Sequence, residues 1–202
     1  PRLHAVTDDA IAKLPDLDQL ARAIARPGVA LHARAPALEG RPHYELATLI
    51  TAAAHGRGAL AIVNDRVDVA RAVGADGVHL PGRGLPIDAV RPLVPGLLLG
   101  CSVHSPDDAR RAADLGADYV FLGPIWKTPT HMGRPVLGLK ALRSLASIRV
   151  IVIGGVTPAR CRECRNAGVW GVAAVSGLWH ARDPSAAAAE MLVSLGNDRG
   201  FD

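Results

Sequence analysis

The stretch Val-Ile-Val-Ile-Gly-Gly-Val at residues 150–156 decides the fold. A second apolar run, Gly-Val-Ala-Ala-Val-Ser-Gly at residues 171–177, follows a segment that Thr157-Pro158 opens as a helix. We interpret the two runs as consecutive buried parallel strands. Their carboxyl ends would leave backbone N–H groups open to an anion at Gly154, Gly155, Ser176 and Gly177. Phosphate sites recur at the last two strand ends of an eight-stranded barrel, so the pair predicts such a barrel.

The rest of the chain supplies the further strands that a barrel needs. Each predicted strand is followed by Ala, Leu, Arg and Glu at helical spacing. The predicted strands are residues 3–8, 29–34, 60–65, 77–80, 97–103, 119–125, 150–156 and 171–177. The sequence therefore predicts an α/β fold, a (β/α)₈ TIM barrel, as a single domain over residues 1–202. A doubly wound open sheet is the alternative, but the Gly-x-Gly-x-x-Gly turn typical of it does not follow the first strand.

Composition agrees with one enzyme-sized domain. The 202 residues are 49% hydrophobic, and the chain is short for a barrel of about 250 residues, so its loops must be lean. No apolar run approaches the roughly 20 residues that would span a membrane, and no signal peptide is evident, so we expect a cytoplasmic protein. The net charge of +4 comes from scattered arginines, which argues against a nucleic-acid partner. The oligomeric state stays open, a homo-oligomer included.

Three cysteines, Cys101, Cys161 and Cys164, cannot all pair with one another. The Cys161-x-x-Cys164 spacing is found in redox pairs and zinc half-sites. Because the pair falls on the predicted seventh helix and no second pair accompanies it, we favour ordinary thiols.

Polar residues at the strand ends are the candidates for chemistry, since barrel active sites lie there. His32 and Arg34 stand two apart on one strand and so both point into the barrel. An inward histidine is commonly a core residue, but an inward arginine needs an anionic partner or ligand. Asn64 and Asp65 end an apolar strand, and we favour a ligand role for them over turn chemistry. Asp8 is either functional or a helix cap.

The fifth strand end carries two further candidates. Ser102 and His104 lie on one side of the strand and are predicted ligand contacts. Ser105, which precedes Pro106 and two acidic residues, is predicted to cap the next helix.

The loop after the sixth strand is longer and richer in polar groups. Lys127, Thr128, Thr130 and His131 offer donors to a charged ligand, and prolines with Gly133 predict a lid over the mouth. His131 is the first candidate for proton transfer near neutral pH, with a solvated loop histidine as the alternative.

Short motifs occur in a fixed order along the chain. They are Leu-His-Ala-Val-Thr-Asp at 3–8, Asn-Asp-Arg-Val-Asp-Val-Ala at 64–70, Gly-Ala-Asp-Gly-Val-His-Leu at 74–80, Gly-Cys-Ser-Val-His-Ser at 100–105, Gly-Pro-Ile at 123–125, Ile-Gly-Gly-Val at 153–156 and Val-Ser-Gly at 175–177. This ordered set resembles the thiamine-phosphate synthase and thiazole tautomerase (TenI) family. The resemblance implies a barrel, a role in thiamine biosynthesis and a phosphorylated thiazole as the small-molecule ligand.

The resemblance is uneven at the residues that couple the two halves of thiamine. Synthases of the family use a Gln-x-Arg-x-Lys strand end, which reads His-Ala-Arg-Ala-Pro at residues 32–36 here, so only Arg34 remains. The first magnesium-binding aspartate matches Asp65, but the second falls at Gly84. The sixth-loop lysine falls at His131. The groups that neutralise a departing pyrophosphate are therefore depleted.

The phosphate-binding end of the site, by contrast, matches the family in full. We call its four residues, Gly154, Gly155, Val175 and Ser176, the phosphate cradle. A chain that keeps the cradle and lacks the metal pair resembles the tautomerase branch, which moves a proton on a thiazole carboxylate phosphate without a cofactor. In that reading Arg34 holds the carboxylate and His131 carries the proton, with His104 second, because the branch's own histidine position is Pro124 here.

Two other functions stay open. One is a synthase that uses magnesium with Asp65, Lys127 and His131 in place of the usual set. The other is a non-catalytic binder of a thiazole phosphate.

Overall fold

The protein is a closed barrel of eight parallel strands, as the sequence predicts. The computed structural model describes residues 1–126 and 136–196. The strands pair in chain order, and the last closes the barrel against the first. Their bounds are β1 Leu3–Val6, β2 Val29–Ala33, β3 Leu60–Asn64, β4 Gly77–Leu80, β5 Leu98–Val103, β6 Tyr119–Leu122, β7 Val150–Ile153 and β8 Gly171–Ala174.

Helices connect the strands within the described ranges. They are α1 Leu17–Ile24, α2 Gly40–His55, α3 Val67–Ala72, α4 Ile87–Val90, α5 Pro106–Asp114, α6 Pro158–Asn166, α7 Ser176–Trp179 and α8 Pro184–Leu195, with 3-10 turns at Ile11–Lys13, Arg91–Leu93 and Leu139–Leu145. The last turn corrects the expectation of a helix after every strand, because it is the helical element described between β6 and β7. None of the helices in these ranges has the length and apolar character that a membrane crossing requires.

The predicted strands continue beyond the observed ones at their carboxyl ends. Gly154 and Gly155 leave the ladder after Ile153, and Ser176 begins α7 instead of ending β8. Both glycines have left-handed φ angles, +95° and +71°, which a strand does not accommodate. The predicted residues Gly154, Gly155, Val175 and Ser176 therefore lie beyond the strand ends, where barrel chemistry is found.

Side-chain caps fix two of the turns that follow strands. The Ser105 Oγ accepts a hydrogen bond from the backbone N–H of Asp108 at 3.1 Å, which confirms the predicted cap of α5. The Asp8 Oδ1 accepts from the N–H groups of Ala10 and Ile11 at 3.0 and 2.9 Å. Of the two interpretations of Asp8, the structure supports the cap.

Two aspartates that precede strands lock neighbouring strands together. Asp76 Oδ2 accepts from the Ala61 N–H at 2.7 Å, and Asp118 Oδ2 accepts from the Leu99 N–H at 2.7 Å and from Arg91 at 2.8 Å. Each aspartate follows a Gly-Ala pair that comes directly after a helix. The motif Gly-Ala-Asp therefore occurs twice, at residues 74–76 and 116–118, and each time it connects a helix to the next strand.

The inside of the barrel holds rings as well as aliphatic side chains. Tyr119 and Phe121 on β6 are 5% and 4% exposed and pack with Val6, Ile151 and Ala173. A Cβ on Gly100 would lie 2.1 Å from the Tyr119 ring, so a glycine on β5 makes room for that ring. Two aromatic residues of the chain, Tyr119 and Phe121, thus lie inside the barrel.

Candidate active site

The phosphate cradle forms where β7 and β8 end side by side. Ile153 pairs with Ala173 in the last rung of the ladder, and the next residues turn away from it. A Cβ on Gly177 would lie 3.1 Å from the Val156 carbonyl oxygen, so the two loops pack closely. Gly154 and Gly155 have left-handed φ angles and no side chains, so an anion can approach their backbone N–H groups closely. The structure therefore brings Gly154, Gly155, Val175 and Ser176 together, as the sequence predicts.

Arg34 supplies positive charge at the mouth. Its backbone is held by Thr7, whose Oγ1 accepts from the Arg34 N–H at 2.9 Å and donates to the Arg34 carbonyl at 2.7 Å. Within residues 1–126 and 136–196, no carboxylate or other acceptor bonds the guanidinium. The side chain is half-buried, and a half-buried cation in that position favours an anionic ligand.

His32 points inward, as predicted, but it lies below the mouth. It is 1% exposed, and its Nε2 lies 2.8 Å from Nδ1 of His4, one nitrogen donating and the other accepting. The His32 ring also packs against Phe121, with ring centroids 5.1 Å apart. His32 is thus a barrel-interior residue in this geometry, and a direct contact with substrate stays a prediction.

Three buried histidines, His4, His32 and His79, form a cluster inside the barrel. Burial lowers the pKa of each well below the ordinary value, and for His79, where the charge of Arg34 adds to burial, it falls to about 3. All three rings are therefore neutral near pH 7. A neutral histidine offers one donor and one acceptor, so the cluster can orient hydroxyl groups without adding charge.

His79 connects the cluster to the mouth through Ser102. Its Nε2 lies 2.9 Å from the Ser102 Oγ, and its Nδ1 lies 3.3 Å from the Tyr119 hydroxyl. Ser102 is half-buried at the end of β5, and its hydroxyl is fixed by a ring that is 2% exposed. Ser102, a predicted ligand contact, is therefore held in one orientation beside the cavity between the loop after β4 and helix α5.

A cavity of about 390 Å³ opens between the loop after β4 and helix α5. Its polar lining includes Ser102, His104, Asp108 and Arg111. The His104 Nδ1 lies 3.1 Å from the Gly123 carbonyl oxygen, which only accepts, so Nδ1 carries a proton in this contact. A Cβ on Gly82 would lie 3.8 Å from Nε2, which places that nitrogen toward the loop after β4. His104 is thus the predicted acid–base candidate for which a described position exists.

The residues at the expected magnesium position do not form a two-carboxylate site. Asp65 has a left-handed φ of +66°, and its Oδ1 lies 3.1 Å from where a Cβ on Gly84 would stand. The two predicted metal positions are therefore adjacent in space, but one has no side chain. No group of three or more His, Cys, Asp or Glu residues suited to a metal occurs in the described ranges. Magnesium is commonly held by one or two carboxylates together with substrate phosphates, and of these two positions only Asp65 offers a carboxylate for it.

Other predicted residues are either adjacent to this region or outside the description. Asn64 is half-buried, and its backbone pairs with His79 in the ladder, which places it beside the histidine cluster. Lys127, Thr128, Thr130 and His131 lie outside the described residues, so their roles stay predictions.

The cysteine pair has no feature of a reactive site. Cys161 and Cys164 are both 0% exposed on α6, and burial raises the pKa of each thiol to about 12. A redox cysteine needs a lowered pKa and access to solvent. The structure favours the ordinary-thiol interpretation.

Sequence reasoning missed three residues at the site. His4 occurs within the motif at residues 3–8, and its inward position on β1 is the signal that places it beside His32. Trp126 and Arg160 gave no signal, since they are far apart in sequence. In the structure the guanidinium carbon of Arg160 lies 4.9 Å from the Trp126 ring centroid.

Comparison with known proteins identifies the family. The family model described as thiamine monophosphate synthase matches residues 3–178. The thiamine-phosphate synthase of Methanoculleus marisnigri is 41% identical over 192 residues, which covers 92% of this chain and 91% of that protein. The putative thiamine-phosphate synthase 2 of Aquifex aeolicus is 35% identical, covering 87% of this chain and 96% of that protein.

A solved structure agrees with these relatives. The thiamine phosphate pyrophosphorylase of Pyrococcus furiosus superposes with a TM-score of 0.83 at 32% identity, and the match covers 96% of this chain and 95% of that one. Fold, ordered motifs and sequence identity thus point the same way, and the chain belongs to the thiamine monophosphate synthase family.

Proposed function

We propose that this protein is a thiamine-biosynthesis enzyme that takes a phosphorylated thiazole and joins it to hydroxymethylpyrimidine pyrophosphate. The observation that carries the proposal is the similarity to proteins named thiamine-phosphate synthase across nearly the whole chain. The phosphate cradle supports the part of the proposal that concerns the thiazole phosphate. The comparisons favour this reaction over the tautomerase reaction, which the residue pattern alone placed first.

The coupling reaction forms a bond from the thiazole nitrogen to the pyrimidine methylene carbon while the bond from that carbon to pyrophosphate breaks. Pyrophosphate leaves with the electron pair, so cations near it accelerate the step. Arg34 is the candidate for this role, because its guanidinium is at the mouth without an acceptor in the described part of the chain. Gly154, Gly155 and Ser176 would hold the thiazole phosphate through backbone N–H groups.

The tautomerase reaction is the second candidate, and the Asp65–Gly84 geometry favours it. A proton transfer on a carboxylated thiazole phosphate expels no pyrophosphate, so a site with one carboxylate suffices for it. Arg34 would then bind the substrate carboxylate. His131 stays the first acid–base candidate, and His104 is the second, with Nε2 as the nitrogen that exchanges the proton because Nδ1 donates to Gly123.

An assay with both coupling substrates separates these functions. Purified protein is given thiazole phosphate and hydroxymethylpyrimidine pyrophosphate, with and without magnesium, and thiamine phosphate is measured. We expect product, and we expect Arg34→Ala to abolish it while the exposed Arg41→Ala leaves it unchanged, since the side chain of Arg41 is 87% exposed.

Other outcomes identify the alternatives. Conversion of the carboxylated thiazole tautomer without thiamine phosphate formation would establish the tautomerase. Binding of thiazole phosphate without turnover in either assay would establish a binder. Failure to bind thiazole phosphate at all would refute all three.

A further inference from the structure

Arg160 is a cation in contact with the glycine half of the phosphate cradle, and the proposed reaction assigns it no role. It lies in the first turn of α6, which begins at Pro158 directly after the β7 loop. Its Nη1 donates a hydrogen bond to the carbonyl oxygen of Gly155. Because a peptide group is planar, fixing this carbonyl fixes the peptide that follows Gly155 and so restricts the conformation of the Gly154-Gly155 turn.

Trp126 holds the Arg160 guanidinium from the other side. The guanidinium carbon lies 4.9 Å from the centroid of the Trp126 ring, within the range of a cation–π contact. Trp126 is itself tied to the cradle strand, because the N–H of the preceding residue, Ile125, donates to the Ile153 carbonyl at 3.2 Å. The end of β6, Arg160 and the Gly154-Gly155 turn therefore form one connected unit.

The charge of Arg160 is not neutralised by a carboxylate in residues 1–126 or 136–196. The ion pairs described there join other arginines, and His55, to aspartate or glutamate, as Arg91 does with Asp118. A planar guanidinium suits this place better than an ammonium, because it can stack on an indole and donate in its own plane at once. The arrangement costs side-chain freedom, which a merely solvent-facing arginine would keep.

We propose that Arg160 is a positioning residue for the phosphate of the substrate, holding the Gly154-Gly155 turn in its anion-binding conformation with Trp126 as its stacking platform. The inference rests on the proposed phosphate site and adds to it a side chain outside the cradle. It makes affinity for a phosphate group depend on Trp126, and it makes Trp126 a reporter of phosphate binding.

The test is the dissociation constant for inorganic phosphate, measured by phosphorus NMR on the full chain. We expect Arg160→Ala to weaken binding about tenfold, which corresponds to about 1.4 kcal/mol. Arg160→Lys keeps the charge but not the planar stack, and should weaken it about threefold. The matched control is Arg162→Ala, an exposed arginine on the same helix, which should change the constant less than about twofold.

Tryptophan fluorescence gives a readout that a purely structural role would not move. Phosphate should change the emission of the unaltered chain, and Trp126→Phe should remove most of that change. Trp170 precedes β8, and Trp179, although it lies on α7 beside the cradle, is 2% exposed, so Trp179→Phe serves as the control and should keep the change. Melting curves check that each variant folds. Equal phosphate binding by Arg160→Ala and the unaltered chain overturns the inference and leaves the phosphate site standing, whereas no phosphate binding by the unaltered chain overturns both.

Discussion

The buried histidine cluster makes the fold sensitive to acid, and His79 allows the effect to be worked out. Its pKa in the folded chain is about 3, because it is buried and lies near Arg34, against about 6.5 in an unfolded chain. Between these values the unfolded chain binds a proton that the folded chain does not. The free energy of unfolding therefore does not depend on His79 titration above about pH 6.5, and it falls progressively as the pH falls toward 3.

The size of the loss follows from the same two values. At about pH 5 the medium is roughly 1.5 units below the unfolded pKa, and each unit corresponds to about 1.4 kcal/mol, so His79 alone removes about 2 kcal/mol. The pKa of His4 and of His32 is lowered in the same direction by burial, so they add to the loss. Against a typical unfolding free energy of about 5–15 kcal/mol, this is a large fraction.

The assay is urea unfolding at about pH 8 and about pH 5, on the unaltered chain and on His79→Gln. Glutamine keeps a donor and an acceptor for Ser102 and Tyr119 but does not titrate. We expect His79→Gln to be less stable at high pH and to lose about 2 kcal/mol less than the unaltered chain on going to pH 5. The control His180→Gln changes an exposed histidine. An identical pH dependence in the unaltered chain and His79→Gln would refute the reasoning.

Two further predictions concern the metal position and the strand locks. Gly84→Asp places a second carboxylate beside Asp65, but its Cβ would lie 3.0 Å from Pro81, so we expect a lower melting temperature without metal. Magnesium should raise the melting temperature of this variant and not that of the unaltered chain. The same magnesium response in both proteins would contradict the prediction. Asp118→Ala leaves the Leu99 N–H and Arg91 without their acceptor, so urea unfolding should show a loss of about 1–3 kcal/mol, whereas the exposed Asp107→Ala should cost less than about 0.5 kcal/mol.

The strand ends show how far local sequence reaches. The cradle residues follow from apolar runs that stop at glycine, and their position at neighbouring strand ends follows from chain order in a barrel. The predicted ends of β7 and β8 are less accurate than the strand order. Gly154 and Ser176 continue an apolar run in the sequence but lie beyond the last ladder hydrogen bonds in the structure. A pattern of apolar residues reports burial, and burial does not stop where the ladder hydrogen bonds stop.

The role of each polar residue was harder to predict than its place. Asp8 could have been a ligand or a cap, and only the two N–H groups near its carboxylate decide for the cap. His32 and Arg34 share one face of the predicted strand 29–34, yet His32 lies inside the barrel against His4 and Arg34 lies just beyond the end of β2. A two-residue period fixes the face but not the depth along the axis, and depth decides which group meets a ligand.

The sequence by itself determined the barrel, its strand order and the family, and it predicted the cradle residues, whose binding of phosphate stays a prediction, since each depends on local periodicity or on motifs within a few residues. Only the tertiary structure decided which side chains contact one another across the barrel. The His4–His32 pair, the hold of His79 on Ser102, the empty place beside Asp65 at Gly84 and the stack of Arg160 on Trp126 join residues from different strands and loops. Such contacts depend on the closure and stagger of the sheet, and a linear pattern carries no distance between strands that are far apart in sequence.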